Sequence, residues 1–178
     1  MPDSICNLTW SAVAAVAAWL TAVIVFWQVR QESKLSRMAM GVESLLRLLE
    51  SWDSPRFVRI RRQAAKALLE EKPDENVDTI LDWFETVALL VRRGGLDEEF
   101  TWHTFYWWIA HYWYAARDYI REVQQEEGPA TWKDLGSLMS RLYVHEARAS
   151  NLTSAEVAPS AAELREFLAS ESSLSEIL

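Results

Sequence analysis

The chain has 178 residues, half of them apolar, and a formal net charge of −8, a length and composition that suit one domain with appendages and a packed core. Five glycines and five prolines argue against a turn-rich all-β protein, and the lone Cys6 excludes an internal disulfide or a multi-cysteine zinc site. The charge is uneven: residues 1–29 carry only Asp3, residues 30–72 hold ten Lys/Arg against six Asp/Glu, and residues 73–178 hold eight against nineteen, so the distal part repels phosphate backbones and nucleic acid is not an expected partner.

The first element is apolar. Ser4 to Val29 is a run of 26 residues without a charge, and Trp10 to Trp27 within it is almost wholly hydrophobic. As a helix, Trp10–Trp27 rises roughly 25 Å and the whole run roughly 39 Å, against a hydrocarbon layer about 30 Å thick. Trp10 and Trp27 fall where aromatic belts form. The leader "MPDSICN" lacks the basic residues of a cleaved signal peptide. Residues 1–29 are therefore expected to be a transmembrane anchor. Arg30, Lys34 and Arg37 follow it and nothing basic precedes it, which places the amino terminus outside and the remainder in the cytoplasm. Ala14, Ala18 and Ala22 recur every four residues. That pattern suits a helix–helix seam in lipid, and equally an alanine-rich span with no partner.

Residues 30–53 form a juxtamembrane amphipathic segment. Leu35, Met38, Val42, Leu45, Leu49 and Trp52 are spaced 3, 4, 3, 4, 3, a short heptad seam that either pairs as a coiled coil or packs on the chain's own domain. Ser54 and Pro55 then open a helix to about Glu71, with Phe57, Ile60, Ala64 and Leu68 as its apolar stripe. Its cations Arg56, Arg59, Arg61, Arg62 and Lys66 can pair with acids, lie on anionic lipid or be solvated.

The next helix, about 78–93, packs through Ile80, Phe84, Val87 and Val91 and carries an acidic stripe, Asp78, Asp82 and Glu85. An ion-pair ladder from Asp82 and Glu85 to Arg59 and Arg62 is the expected tie between the two helices. The competing reading makes Glu85 a buried acid. "RRGG" ends that helix. Asp97 caps an aromatic helix running to about Glu127, where Gly128-Pro129 stops it. Thr131 and Asp134 open another helix, with Leu135, Leu138, Leu142 and Tyr143 inward. These elements make a bundle domain over 54–149. Residues 150–178 are expected to be a mobile tail with a short helix over 161–169, opened by a Ser160–Glu163 capping box.

Nine of the fifteen residues from Phe100 to Tyr114 are aromatic. The charge-free stretch Phe100–Ala116 is seventeen residues long, at the lower limit of a span, and carries two His, two Thr and three Tyr hydroxyls that argue against one. A helix apolar nearly all round is expected at the centre of a bundle, which assigns Phe84, Phe105, Ile109, Tyr112 and Trp113 to the core. Some of its Trp and Tyr rings can instead meet headgroups or a partner helix.

Trp83-Phe84-Glu85, a helix end at Gly94, Asp97-Glu98-Glu99 opening a helix, then Phe105 and Tyr112-Trp113 together resemble a bacterial family of domains of unknown function. The likeness covers roughly residues 40–147. It implies an amino-terminal membrane anchor with a helical cytosolic domain, and no activity or catalytic residues.

No nucleophile–base pattern, phosphate loop or dinucleotide fingerprint is present. Glu99 and His103 share a helix face, but no Glu-x-x-His pair exists and His103 and His111 diverge around the helix. No catalytic residue, metal or cofactor is assigned. The sequence thus predicts an all-α, single-pass inner-membrane protein: one transmembrane helix, then a cytoplasmic bundle of about four helices. It would serve as a self-associating interaction or scaffold module whose partners are the bilayer, further copies and a protein partner. The alternatives are a membrane-tethered metal- or carboxylate-dependent enzyme and an oligomeric pore acting in stress or defence.

Overall fold

The computed structural model describes residue 19, residues 25–28, residue 30, residues 41–152 and residues 157–175, and every regular element among them is helical. The chain divides into two units, Met1–Met40 and Gly41–Leu178. In the first, residues 25–28 are helical and exposed. The expected span Trp10, Ala14, Ala18, Ala22 and Trp27 lies outside the described residues except for Trp27, as do Lys34 and Arg37. No helix among the described residues is long and apolar enough to cross a membrane.

The second unit holds seven helices among its described residues, more than the four expected. They are α1 (residues 41–52), α2 (Pro55–Leu69), α3 (Glu75–Arg92), α4 (Glu98–Ala115), α5 (Arg117–Glu127), α6 (Lys133–Ser150) and α7 (Ala161–Ser172). α2 packs on α3 and α7, α3 on α4 and α6, and α4 on α6 and α7.

Local chemistry sets the helix starts. The Ser54 hydroxyl accepts from Phe57 N, with Pro55 in the first turn; Asp97 accepts from Glu99 N and Phe100 N; Ser160 and Glu163 form a reciprocal capping box. The single aromatic helix expected over 98–127 is broken into α4 and α5. Ala116 takes φ −94°, ψ 9°, the bridge region rather than a helical turn, while Ile120 N still bonds Ala116 O at 2.8 Å.

The heptad stripe of α1 is used inside its own domain. Leu45 and Leu49 pack against the core and Trp52 is wholly buried, whereas Val42 and Leu46 stay exposed. Phe84, Phe105, Ile109 and Tyr112 are buried; Trp113 is half-buried, its ring against Gly136. α4 is not enclosed all round, since Phe100 and Trp107 are exposed.

The expectation of a mobile tail fails for the described residues 157–175. Phe167, Leu168 and Glu171 are buried, and α7 is docked on α2 and α4. Ser/Ala-rich composition obscured one face: Glu171 lies four residues after Phe167 and three after Leu168, spacings that share a side of a helix.

Candidate functional site

The centre of the domain is an ionic contact inside an aromatic cage. α2 repeats inward positions at Phe57, Arg61, Ala64 and Leu68, a 4, 3, 4 spacing that puts Arg61 on the apolar face. Its Nε donates to Glu171 Oε2 at 2.8 Å and one terminal nitrogen to Oε1 at 2.6 Å. This is a bidentate pair between side chains only 6% and 7% exposed. The Tyr112 hydroxyl donates to the same carboxylate at 2.9 Å. Burial and Glu171's charge push the Tyr112 phenol well above its ordinary range, so it remains a donor.

The cage is Trp52 with its neighbours. The Arg61 guanidinium carbon lies 4.4 Å from the Trp52 ring centre and 5.8 Å from that of Trp108, within cation–π range. Trp52 also meets Phe57, Trp83 and Phe84 at 5.3, 4.8 and 5.2 Å. Its buried indole Nε1 has no hydrogen-bond partner among the described residues.

A second feature lies where α4 meets α7. His111 is held between Trp107 and Phe167, with ring centres 3.8 and 4.7 Å away. Its Nδ1 sits 2.7 Å from the Trp107 carbonyl oxygen. A carbonyl only accepts, so the neutral ring carries its proton on Nδ1. Burial lowers the His111 pKa, partly opposed by that carbonyl and by Glu163. Trp107, His111, Leu152, Val157, Pro159 and Glu163 line an adjoining open cleft of about 280 Å³.

The two acids of the expected ladder have partners at the start of α6. Asp82 accepts from Trp132 Nε1 at 2.8 Å. Glu85 accepts from the backbone N–H groups of Asp134 and Leu135 at 3.1 and 2.6 Å. Both acids thus serve the start of α6. α6 needs this, because Trp132 before it is in the left-handed region (φ 52°, ψ 32°) and gives no side-chain cap. The carboxylate supplies the missing acceptor across the fold. Nothing in the sequence near Glu85 signals a partner fifty residues away.

Glu99 and His103 are both exposed, and His145 faces Glu98 at 3.1 Å. Among the described residues, no three His, Cys, Asp or Glu side chains gather as a metal set.

A family model, the domain of unknown function DUF4760, matches residues 9–142. The chain belongs to this family. No curated protein and no solved structure matches it. The DUF4760 span takes in the apolar run together with α1 to α5 and most of α6, and ends before α7. Arg61, Trp52 and Tyr112 therefore lie within the DUF4760 region, and Glu171, which fills their cage, lies beyond it.

Proposed function

We propose that this DUF4760 protein is a membrane-tethered helical interaction module. The first unit anchors it in the cell inner membrane, and the unit from Gly41 onward sits in the cytoplasm and assembles with further copies. The observation that carries this reading is Val25-Phe26-Trp27, three consecutive apolar side chains in helical residues, exposed by 49%, 65% and 65%. They continue an uncharged run, and Arg30 follows them. Apolar side chains without protein cover are accounted for by hydrocarbon, and the cation after them sets the orientation.

The interaction role draws support from α4. Phe100 and Trp107 lie seven residues apart on one helix face and are exposed, and Trp107 lines the His111 cleft. Exposed aromatics of this kind are the anchors that interfaces use. The test is to excise the full-length protein from cell membranes with a lipid-solubilising copolymer and weigh the particles. Particles with two or more copies are expected. Single copies, or a chain recovered free of lipid, would overturn the proposal.

A further inference from the structure

α2 and α4 together hold a site for one side-chain carboxylate. Arg61 brings two nitrogens to Glu171 at 2.8 and 2.6 Å, and Tyr112 brings its hydroxyl to the same group at 2.9 Å. Donors from two helices thus converge on an anion that a third supplies. One turn earlier on α7, Phe167 sits among Trp107, His111 and Tyr112, with ring centres 6.4, 4.7 and 5.1 Å away. Phe167, Leu168 and Glu171 are the buried residues of α7. The receiving side chains, Arg61, Trp107, His111 and Tyr112, all lie within the DUF4760 span, residues 9–142, and α7 lies outside it. Residues 151–160 join α6 to α7. Ten residues reach at most about 35 Å, roughly the diameter of a globular unit as long as Gly41–Leu178.

We infer that α7 is swapped between copies: α7 of one copy docks on the α2/α4 site of another, where Arg61 and Tyr112 hold its Glu171. This rests on the self-assembly proposed above and names the contact that makes it. A second copy has the same sequence, so its α7 offers the site the same carboxylate and the same aromatic ring. Whether the occupant comes from the chain itself or from a neighbour is then decided by reach and local concentration, not by a difference in contacts. Anchors in one bilayer keep copies side by side and raise that concentration. The buried charge makes the swap reciprocal. A copy that gives away its α7 strands Arg61 unless another carboxylate arrives, so two copies that trade α7 close a two-fold pair.

The test co-expresses two full-length variants with different affinity tags: Arg61→Met, which spoils the receiving site, and Glu171→Leu, which spoils α7. Each alone strands one buried charge. A swap within a mixed pair puts the intact Glu171 on the intact Arg61 and the leucine beside the methionine, so no charge is stranded. Assemblies carrying both tags are isolated in mild detergent and followed by hydrogen exchange with mass spectrometry, where the substitution itself tells the two α7 peptides apart. The α7 that keeps Glu171 should exchange its amides about a hundredfold more slowly in mixed assemblies than in Arg61→Met alone. Equal rates in the two samples would overturn the inference. A second arm leaves the ion pair intact. Benzoylphenylalanine replaces Leu164, half-buried on α7, in one tagged copy, and an unmodified copy carries the other tag. Irradiation should join the two tags through α2 or α4 of the unmodified copy. Adducts confined to the modified chain itself would overturn the inference, even where the charge variants fail to fold. Particles that never carry both tags refute self-assembly; particles that carry both and give only same-chain adducts refute the swap alone.

Discussion

Replacing Glu171 with Ala leaves the Arg61 guanidinium in a cage with no anion. Both side chains are almost sealed from water, 6% and 7% exposed, and Tyr112 loses its acceptor in the same step. Removing one partner of a buried pair costs about 3–5 kcal/mol, because the remaining charge is stranded. The ring of Trp52 returns at most about 2 kcal/mol and already does so in the intact protein. For a domain of this size the loss corresponds to a fall in melting temperature of about 10–20 °C. The assay is thermal unfolding of the full chain in mild detergent, read by helical circular dichroism, with hydrogen exchange over α7 as a second probe. α7 should lose its protection first, since Glu171 is its buried ionic tie to α2. The paired variant Arg61→Met with Glu171→Leu removes both charges and should come back to within about 1.5 kcal/mol of the original. A loss below about 1 kcal/mol for Glu171→Ala, the range of exposed ion pairs, would refute the burial of this contact.

Three further outcomes are expected. Glu85→Ala removes the cap of α6 and should destabilise by about 1–2 kcal/mol, with faster exchange at the amides of Asp134 and Leu135; unchanged exchange there would contradict the cap. Gly128 has φ 110°, ψ 161°, a region essentially reserved for glycine, so Gly128→Ala should cost about 1–3 kcal/mol, measured by urea unfolding. His111 has its pKa below the usual 6.5 through burial, so the unfolded chain takes up the proton first. Stability is then full above about pH 6.5 and declines as pH falls below it. Glu163, whose carboxyl is lowered from 4.5 by its bonds to Ser160, contributes only at more acid pH, which separates the two. Melting curves between pH 7 and 5 should show the slope in the original protein and a shallower one in His111→Gln; equal slopes would contradict the assignment.

What the sequence makes legible is local. Ser54, Asp97 and Ser160 announce their helices because a cap bonds within three residues of itself. Phe84, Phe105, Ile109 and Tyr112 follow from helical spacing alone. What stays hidden depends on partners distant in the chain. Arg61 and Glu171 are 110 residues apart, and each looks like a solvated charge until α7 docks. Glu85 sits on an acidic stripe that suggests cations, yet its partners are backbone amides, which carry no sequence signature. The interruption at Ala116 is equally silent, since alanine is the strongest helix former. One signal was available: Arg61 falls on the apolar register of Phe57, Ala64 and Leu68, and a cation in that position calls for a buried anion.

The central claim, a helical domain held to the bilayer by its first unit, is tested most directly by washing membranes from cells expressing the full chain with alkaline carbonate. The account predicts that the protein stays with the membrane pellet and leaves it only when detergent is added. Release into the carbonate supernatant would contradict it.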